Sequence, residues 1–330
     1  MLKQNFSTRA IVEAGLTSTI MVAVFLLTVN LPMFSGLSLF ILPIPVAILC
    51  VRHNYSAAAG AVFVSAVLIG MLYSPVSAVT SSAIFGGTGL TLGYCIKTGK
   101  EVWTTIAMLA AAAAAALLID MAIVIAVVYN TGFTEFVNQN LQIIKESMQK
   151  YYEYYKQSGA SESQLQQFQQ SMEIFTVDYI LQMLPVSLAA CAFGFAFICY
   201  SATRSIMKRL QYEIKPIPPA SEIYINNRVG TFILIFAVIG ALMSKYGVAG
   251  GRNIAGSSML MAQMVFTFDG ATLAAYYLRR RFKMSKVITF LVILLTVSSS
   301  AFILVYVVMG LTDMIIDFRK LDPFRRKIAR

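Results

Sequence analysis

Apolar runs about as long as a bilayer crossing alternate with short polar breaks along most of this chain. A hydrocarbon core about 30 Å thick takes roughly 20 residues of α-helix. On that measure the candidate spans are 10–29, 37–51, 56–72, 76–96, 102–129, 177–202, 229–246, 254–278 and 287–309. The pattern predicts an all-α fold, a polytopic transmembrane helix bundle of eight to nine spans. The second run is short and holds Pro43 and Pro45. Prolines there free backbone carbonyls at membrane depth, as the broken helices of transporters do, or simply kink the helix. The fifth run is long enough to tilt or to project beyond the lipid.

Between the fifth and sixth runs lies the one large polar insertion. FTEFVNQNLQIIKESMQKYYEYYKQ reads as an amphipathic helix, SGAS as a turn, and Ser161 with Gln164 as a capping box opening a second helix. This predicts an extracytoplasmic helical hairpin at 131–175, a solvated lid or a platform whose tyrosines face lipid headgroups or a partner. The stretch 204–228, with KPIPPASE, reads as a proline-containing cytoplasmic linker. The expected organisation is a six-span domain over 1–203, that linker, and a three-span part over 229–330 with a basic tail.

Charge orients the spans. With the N-terminus cytoplasmic, the inner segments hold fifteen lysines and arginines, and the outer segments before the tail hold five. This satisfies the positive-inside rule for eight spans. The tail, DFRKLDPFRRKIAR, breaks the pattern with six basic residues on the outer side. Either it lies outside, or one late segment is re-entrant. Lys3 and Arg9 precede a run too long for a signal-peptide core, with no A-x-A site, so the first run reads as an uncleaved span.

Composition agrees. Apolar residues make up 58% of the chain and charged residues 12%, against about 25% charged in a soluble domain. The net charge of +11 then describes a basic cytoplasmic face rather than a nucleic-acid site. Cys50, Cys95, Cys191 and Cys199 form no C-x-x-C pair, and His53 is the single histidine. A metal site or histidine triad has little to draw on. GYCIKTGKE fails the phosphate-loop spacing and has Glu101 where Ser or Thr is needed. No nucleophile–base pair stands out. The expectation is a protein that is not an enzyme, with no cofactor.

A few polar residues interrupt the apolar runs. Asp120 follows seven consecutive alanines, Ala110 to Ala116. With Trp103 and Tyr129 as interface anchors, it lies roughly 6 Å to the outer side of the midplane. A charge there costs about 2.5–3.5 kcal/mol and marks a ligand or proton path, or a protonated acid bonded between helices. Asp178 and Gln182 share a helix face one turn apart on the same outer side, and Asn30 ends the first run there. These four are the candidate ligand-binding residues. Asp269, beside Gly270, is a candidate for ion coupling or a partner for Arg or Lys. Gly86, Gly89 and Gly93 line one face of the fourth run and predict close helix packing, with the polyalanine as a suitable partner.

STRAIVEAGLTS, LPIPVAILCVRHNYSAAAG and GLTDMIIDFRK resemble the YybS-like family of bacterial membrane proteins, which carries a domain of unknown function. That resemblance implies a bacterial inner membrane and no established activity. The first six runs are more distantly similar to the S-components of energy-coupling-factor transporters. That likeness implies solute binding toward the outer side, under the loop NLPMFSG. It also implies docking of a coupling subunit on Ala10 and Ala14, with an ATPase behind it. This chain departs by adding three spans and a larger outer hairpin. The leading expectation is a small-solute-binding or transport component. The rival is a non-catalytic envelope or sporulation scaffold whose hairpin binds a partner, and a third is a proton-coupled carrier using Asp120 and Asp269.

Overall fold

The computed structural model describes residues 7–319 except 32, 34, 35, 224 and 226. Lys3, part of the loop after the first span, and the tail beyond Arg319 lie outside the described residues. Among the described residues every regular element is helical. The order is α1 (Thr8–Asn30), α2 (Leu37–Ile41), α3 (Pro43–Arg52), α4 (Tyr55–Leu72), α5 (Pro75–Lys97) and α6 (Val102–Ile123), which runs on as a π-helical turn, Val124–Tyr129. Then come α7 (Phe133–Gln157), α8 (Glu162–Ile174), α9 (Val177–Arg209), α10 (Asn227–Lys245), α11 (Gly251–Arg280), α12 (Lys286–Val297) and α13 (Ser300–Ile316).

Among the described residues five helices are long and apolar enough to cross a bilayer: α1, α4, α6 with its π turn, α9 and α10. Six result if α12 and α13 count as one span, but they are bent by 111°. Ser298 follows the end of α12, and Ser299, extended at φ −92° and ψ 122°, precedes the start of α13, so the run read as 287–309 is two helices. The second run is shorter than a crossing, since even Ser38–Arg52 taken as one apolar helix is shorter than 18 residues, and Pro43 sits at the first position of α3, where its fixed φ suits a helix start. Both α5 and α11 are long but carry polar residues along their length, among them Ser81, Ser82 and Thr88 in α5 and Asn253, Gln263 and Asp269 in α11. Helices of that composition find their place by packing on other helices rather than on lipid.

The chain divides into two compact units. The first comprises Met1–Gln142 and Leu188–Ile217. Its centre is α5, which packs on α3, α4 and α6. A Cβ on Gly89 would stand 2.6 Å from Val46 Cβ and 2.8 Å from Pro43 O, and one on Gly86 would stand 2.6 Å from Val62 Cγ1. The glycine face of α5 therefore meets α3 and α4 rather than the polyalanine. Those alanines serve elsewhere: Ala110 and Ala113 pack with Leu109, Leu92, Ala192 and Ala196. At one end of the unit, Glu13 accepts hydrogen bonds from Arg9 at 3.1 Å and Arg52 at 3.3 Å, and lies 2.9 Å from His53 Nε2. Lys97 Nζ donates to Cys50 O and His53 O, closing the C-terminal carbonyls of α3.

The second unit comprises Ile143–Ser187 and Pro218–Arg330. It holds most of the hairpin, where Tyr152 and Tyr155 pack on Phe168 and the Ser161–Gln164 capping box closes α8. Its centre is α11, which packs on α10, α12 and α13. Any Cβ on Gly270 would collide with Tyr306 O, and any on Gly310 with Phe266 O. At that crossing the backbones of α11 and α13 touch, which only glycine permits.

Candidate functional site

The residues singled out in the sequence fall in different surroundings. Within the first unit, Asn30 is exposed and donates to Leu26 O at 2.7 Å, one turn back on its own helix. Asp120 is half-buried, and its carboxylate has no hydrogen-bond or ion-pair partner among the described residues. Its carbonyl accepts from Val124 N–H where α6 gives way to the π turn. Ala10 is buried, and Ala14 is half-buried against the core formed by α1, α3, α4 and α5. Within the second unit, Asp178 is exposed at the start of α9. Gln182 turns to α11 instead: its side chain reaches Asn253 at 3.4 Å, and its carbonyl accepts from Ser257 Oγ at 3.0 Å.

Asp269 is 2% exposed and paired. Arg319 Nη2 lies 2.8 Å from Asp269 Oδ1 and 2.6 Å from Asp313 Oδ2. The same guanidinium donates from Nε to Asp313 Oδ2 at 2.8 Å, and from Nη1 to Ile223 O at 2.6 Å and Thr272 Oγ1 at 3.0 Å. Asp269 also accepts from Ile225 N–H at 3.2 Å, and Asp313 from Phe318 N–H at 3.1 Å. This cluster ties α11, the end of α13 and the linker before α10 into one buried knot. Of the two roles open to Asp269 from the sequence, the geometry displays the arginine partner. Asp313 and Arg319, six residues apart, were not linked to Asp269 from the sequence, because Asp269 lies about fifty residues upstream of Arg319 and nothing in the spacing marks the pairing.

Beside this knot the second unit opens a cleft of about 820 Å³. Its walls are α11 and α12, with Met183 and Val186 of α9 and Ile303 of α13. The α11 face follows helical spacing, Leu260, Gln263, Met264, Thr267, Ala271, Ala275 and Arg279. The α12 face offers Phe290, Ile293 and Leu294. Two polar levels interrupt the apolar lining. Arg279 and Lys286 stand at one end, flanking the connection 281–285, with Arg279 Nη1 donating to Ser221 Oγ at 3.4 Å. Gln263 and Thr267 sit farther along α11, and the buried Thr267 hydroxyl has no hydrogen-bond partner among the described residues. Thr272 lines the cleft and also bonds Arg319, so the floor of the cleft is held by the ion cluster.

Bundled apolar helices, several of bilayer length, joined by basic segments define a polytopic membrane protein. Residues 19–314 match the model of a family described as a predicted membrane protein, DUF2232, and the chain belongs to that family. No curated protein matches it. No solved structure matches it either.

Proposed function

We propose that this membrane protein binds a small, mainly apolar molecule in the cleft of its second unit, as a solute-binding or transport-related component. The cleft itself carries the reading. About 820 Å³ is within the range of ligand sites, roughly 300–1,000 Å³, and an apolar lining with a few placed polar groups is their usual make-up. The unpartnered Thr267 hydroxyl adds a group that a bound molecule can satisfy. On this reading the site is built from α11 and α12 rather than from Asn30, Asp120, Asp178 and Gln182. The resemblance of the first six runs to S-components supports uptake as the purpose, with a coupling subunit and ATPase supplying the energy. The basic segments support a bacterial inner membrane with the N-terminus cytoplasmic. Filling the cleft tests the reading. Ala271→Trp in the full chain, purified in mild detergent, is expected to lose small molecules that the native protein retains in native mass spectrometry. Equal retention by both would refute it.

A second reading rests on the hairpin, where Tyr151 and Tyr154 are 63% and 66% exposed on an amphipathic helix. Exposed tyrosines of this kind suit a protein interface. In this reading the chain is an envelope or sporulation scaffold. Tyr151→Ser with Tyr154→Ser would then abolish cross-linking to an envelope partner while leaving cleft occupancy unchanged.

A further inference from the structure

We propose that the cleft of the second unit takes an anionic phospholipid from one leaflet, its acyl chains along α12 and its phosphate between Arg279 and Lys286. This rests on the cleft being a binding site, and adds which molecule fills it. Three observations carry it. First, the lining is apolar over most of its length, with Met264, Ala271, Phe290, Ile293 and Leu294 facing in. Second, the charge in the lining is at one end, and it is positive. Arg279 lies in the last turn of α11 and Lys286 begins α12, so both cations stand at the same mouth. The N-terminus of α12, capped by Ser285, adds its dipole with the same sign. Third, the length fits. Over its 12 residues α12 rises about 18 Å, roughly half of a 30 Å hydrocarbon core and the reach of one leaflet's chains.

The bend of 111° after α12 closes the far end, because α13 turns away there instead of continuing across. Thr296 Oγ1 and Tyr306 Oη, 2.6 Å apart, fasten that corner. A neutral apolar solute would use the walls but leave Arg279 and Lys286 without a counter-charge. A free phosphate would use the cations and leave the walls empty. A lipid with an anionic headgroup uses both.

The test uses the full chain in nanodiscs of phosphatidylcholine containing a minor fraction of phosphatidylglycerol with identical chains. Protein released into detergent is analysed by native mass spectrometry for retained lipid. The native protein is expected to retain phosphatidylglycerol well above its share in the disc. Each cation near an anionic surface contributes roughly fivefold. Arg279→Gln with Lys286→Gln is therefore expected to lower that preference roughly 25-fold while still retaining phosphatidylcholine. Ala271→Trp is expected to lose both lipids. Retention without headgroup preference, in native and double-variant protein alike, overturns the headgroup inference and leaves the cleft reading standing. Retention unaltered by Ala271→Trp overturns both. Excess inorganic phosphate is expected not to displace the lipid; displacement would show that the cations take a free anion and overturn the proposal.

Discussion

Replacing Arg319 with Met removes the one cation from a buried cluster. The Arg319 side chain is fully buried, and Asp269 and Asp313 are 2% and 5% exposed. Methionine approximates the length of the arginine stem but leaves two carboxylates facing each other, and it strips Ile223 O and Thr272 Oγ1 of their donor. Breaking a buried ion pair by deleting one partner costs about 3–5 kcal/mol. A unit of this size loses about 2–4 °C of Tm per kcal/mol, so the expected fall is roughly 6–20 °C. Size-exclusion chromatography of heated, detergent-solubilised protein measures it. Replacing all three groups by apolar ones, Arg319→Met with Asp269→Leu and Asp313→Leu, is expected to recover most of the loss, since hydrophobic substitutes of similar volume are often near neutral. A single variant with native Tm, or a triple variant no better than the single, would refute the account of this knot.

Three further outcomes follow from the packing and the charges. Gly270→Ala is expected to destabilise by about 1–3 kcal/mol or more, because its Cβ meets backbone, whereas Gly87→Ala, with open space around it, should be silent in the same heating assay. Asp120→Leu is expected not to lower Tm, since that carboxylate has no partner among the described residues and a charge in lipid is unfavourable; a fall as large as that of Arg319→Met would contradict this. The bend between α12 and α13, with Arg319 bonded to Ile223 beside the linker, places the start of the basic tail on the linker's side. In a cysteine-free background, Glu222→Cys, beside Ile223, and a cysteine appended after Arg330 should be labelled by an impermeant maleimide from the same face. Labelling from opposite faces would sink the re-entrant reading.

Much of the helical plan was legible because membrane helices need long apolar runs, and most of those runs became helices. The hairpin was legible for a different reason: its amphipathic face and the Ser161–Gln164 box are local signals, and both formed. The break inside 287–309 was not legible because hydropathy averages over Ser298–Ser299, although the serines of TVSSS there are favoured N-cap residues. The closeness of α5 to α3 was hinted at by Gly89 and Gly93, but the choice of α3 over α6 was not, since a smooth helix face specifies no partner. Asp269 was legible as unusual and illegible as to role, because Arg319 is distant in sequence and belongs to a tail read as one basic block. The cleft was invisible for a related reason. Its α11 stripe has the same spacing as any helix face turned toward a bundle, and only the separation of α12 from α11 makes it a cavity.

The central claim is that a molecule occupies that cleft, and a photo-crosslinking side chain at Phe290 addresses it most directly. Phe290 lines the cleft, while Phe236, 47% exposed on α10, serves as the control outside it. With the crosslinker introduced into the full chain in its own membrane, the account predicts a discrete small-molecule adduct at position 290, abolished by Ala271→Trp, and only a bulk-lipid mixture at position 236. The same mixture at both positions would show that the cleft holds nothing of its own.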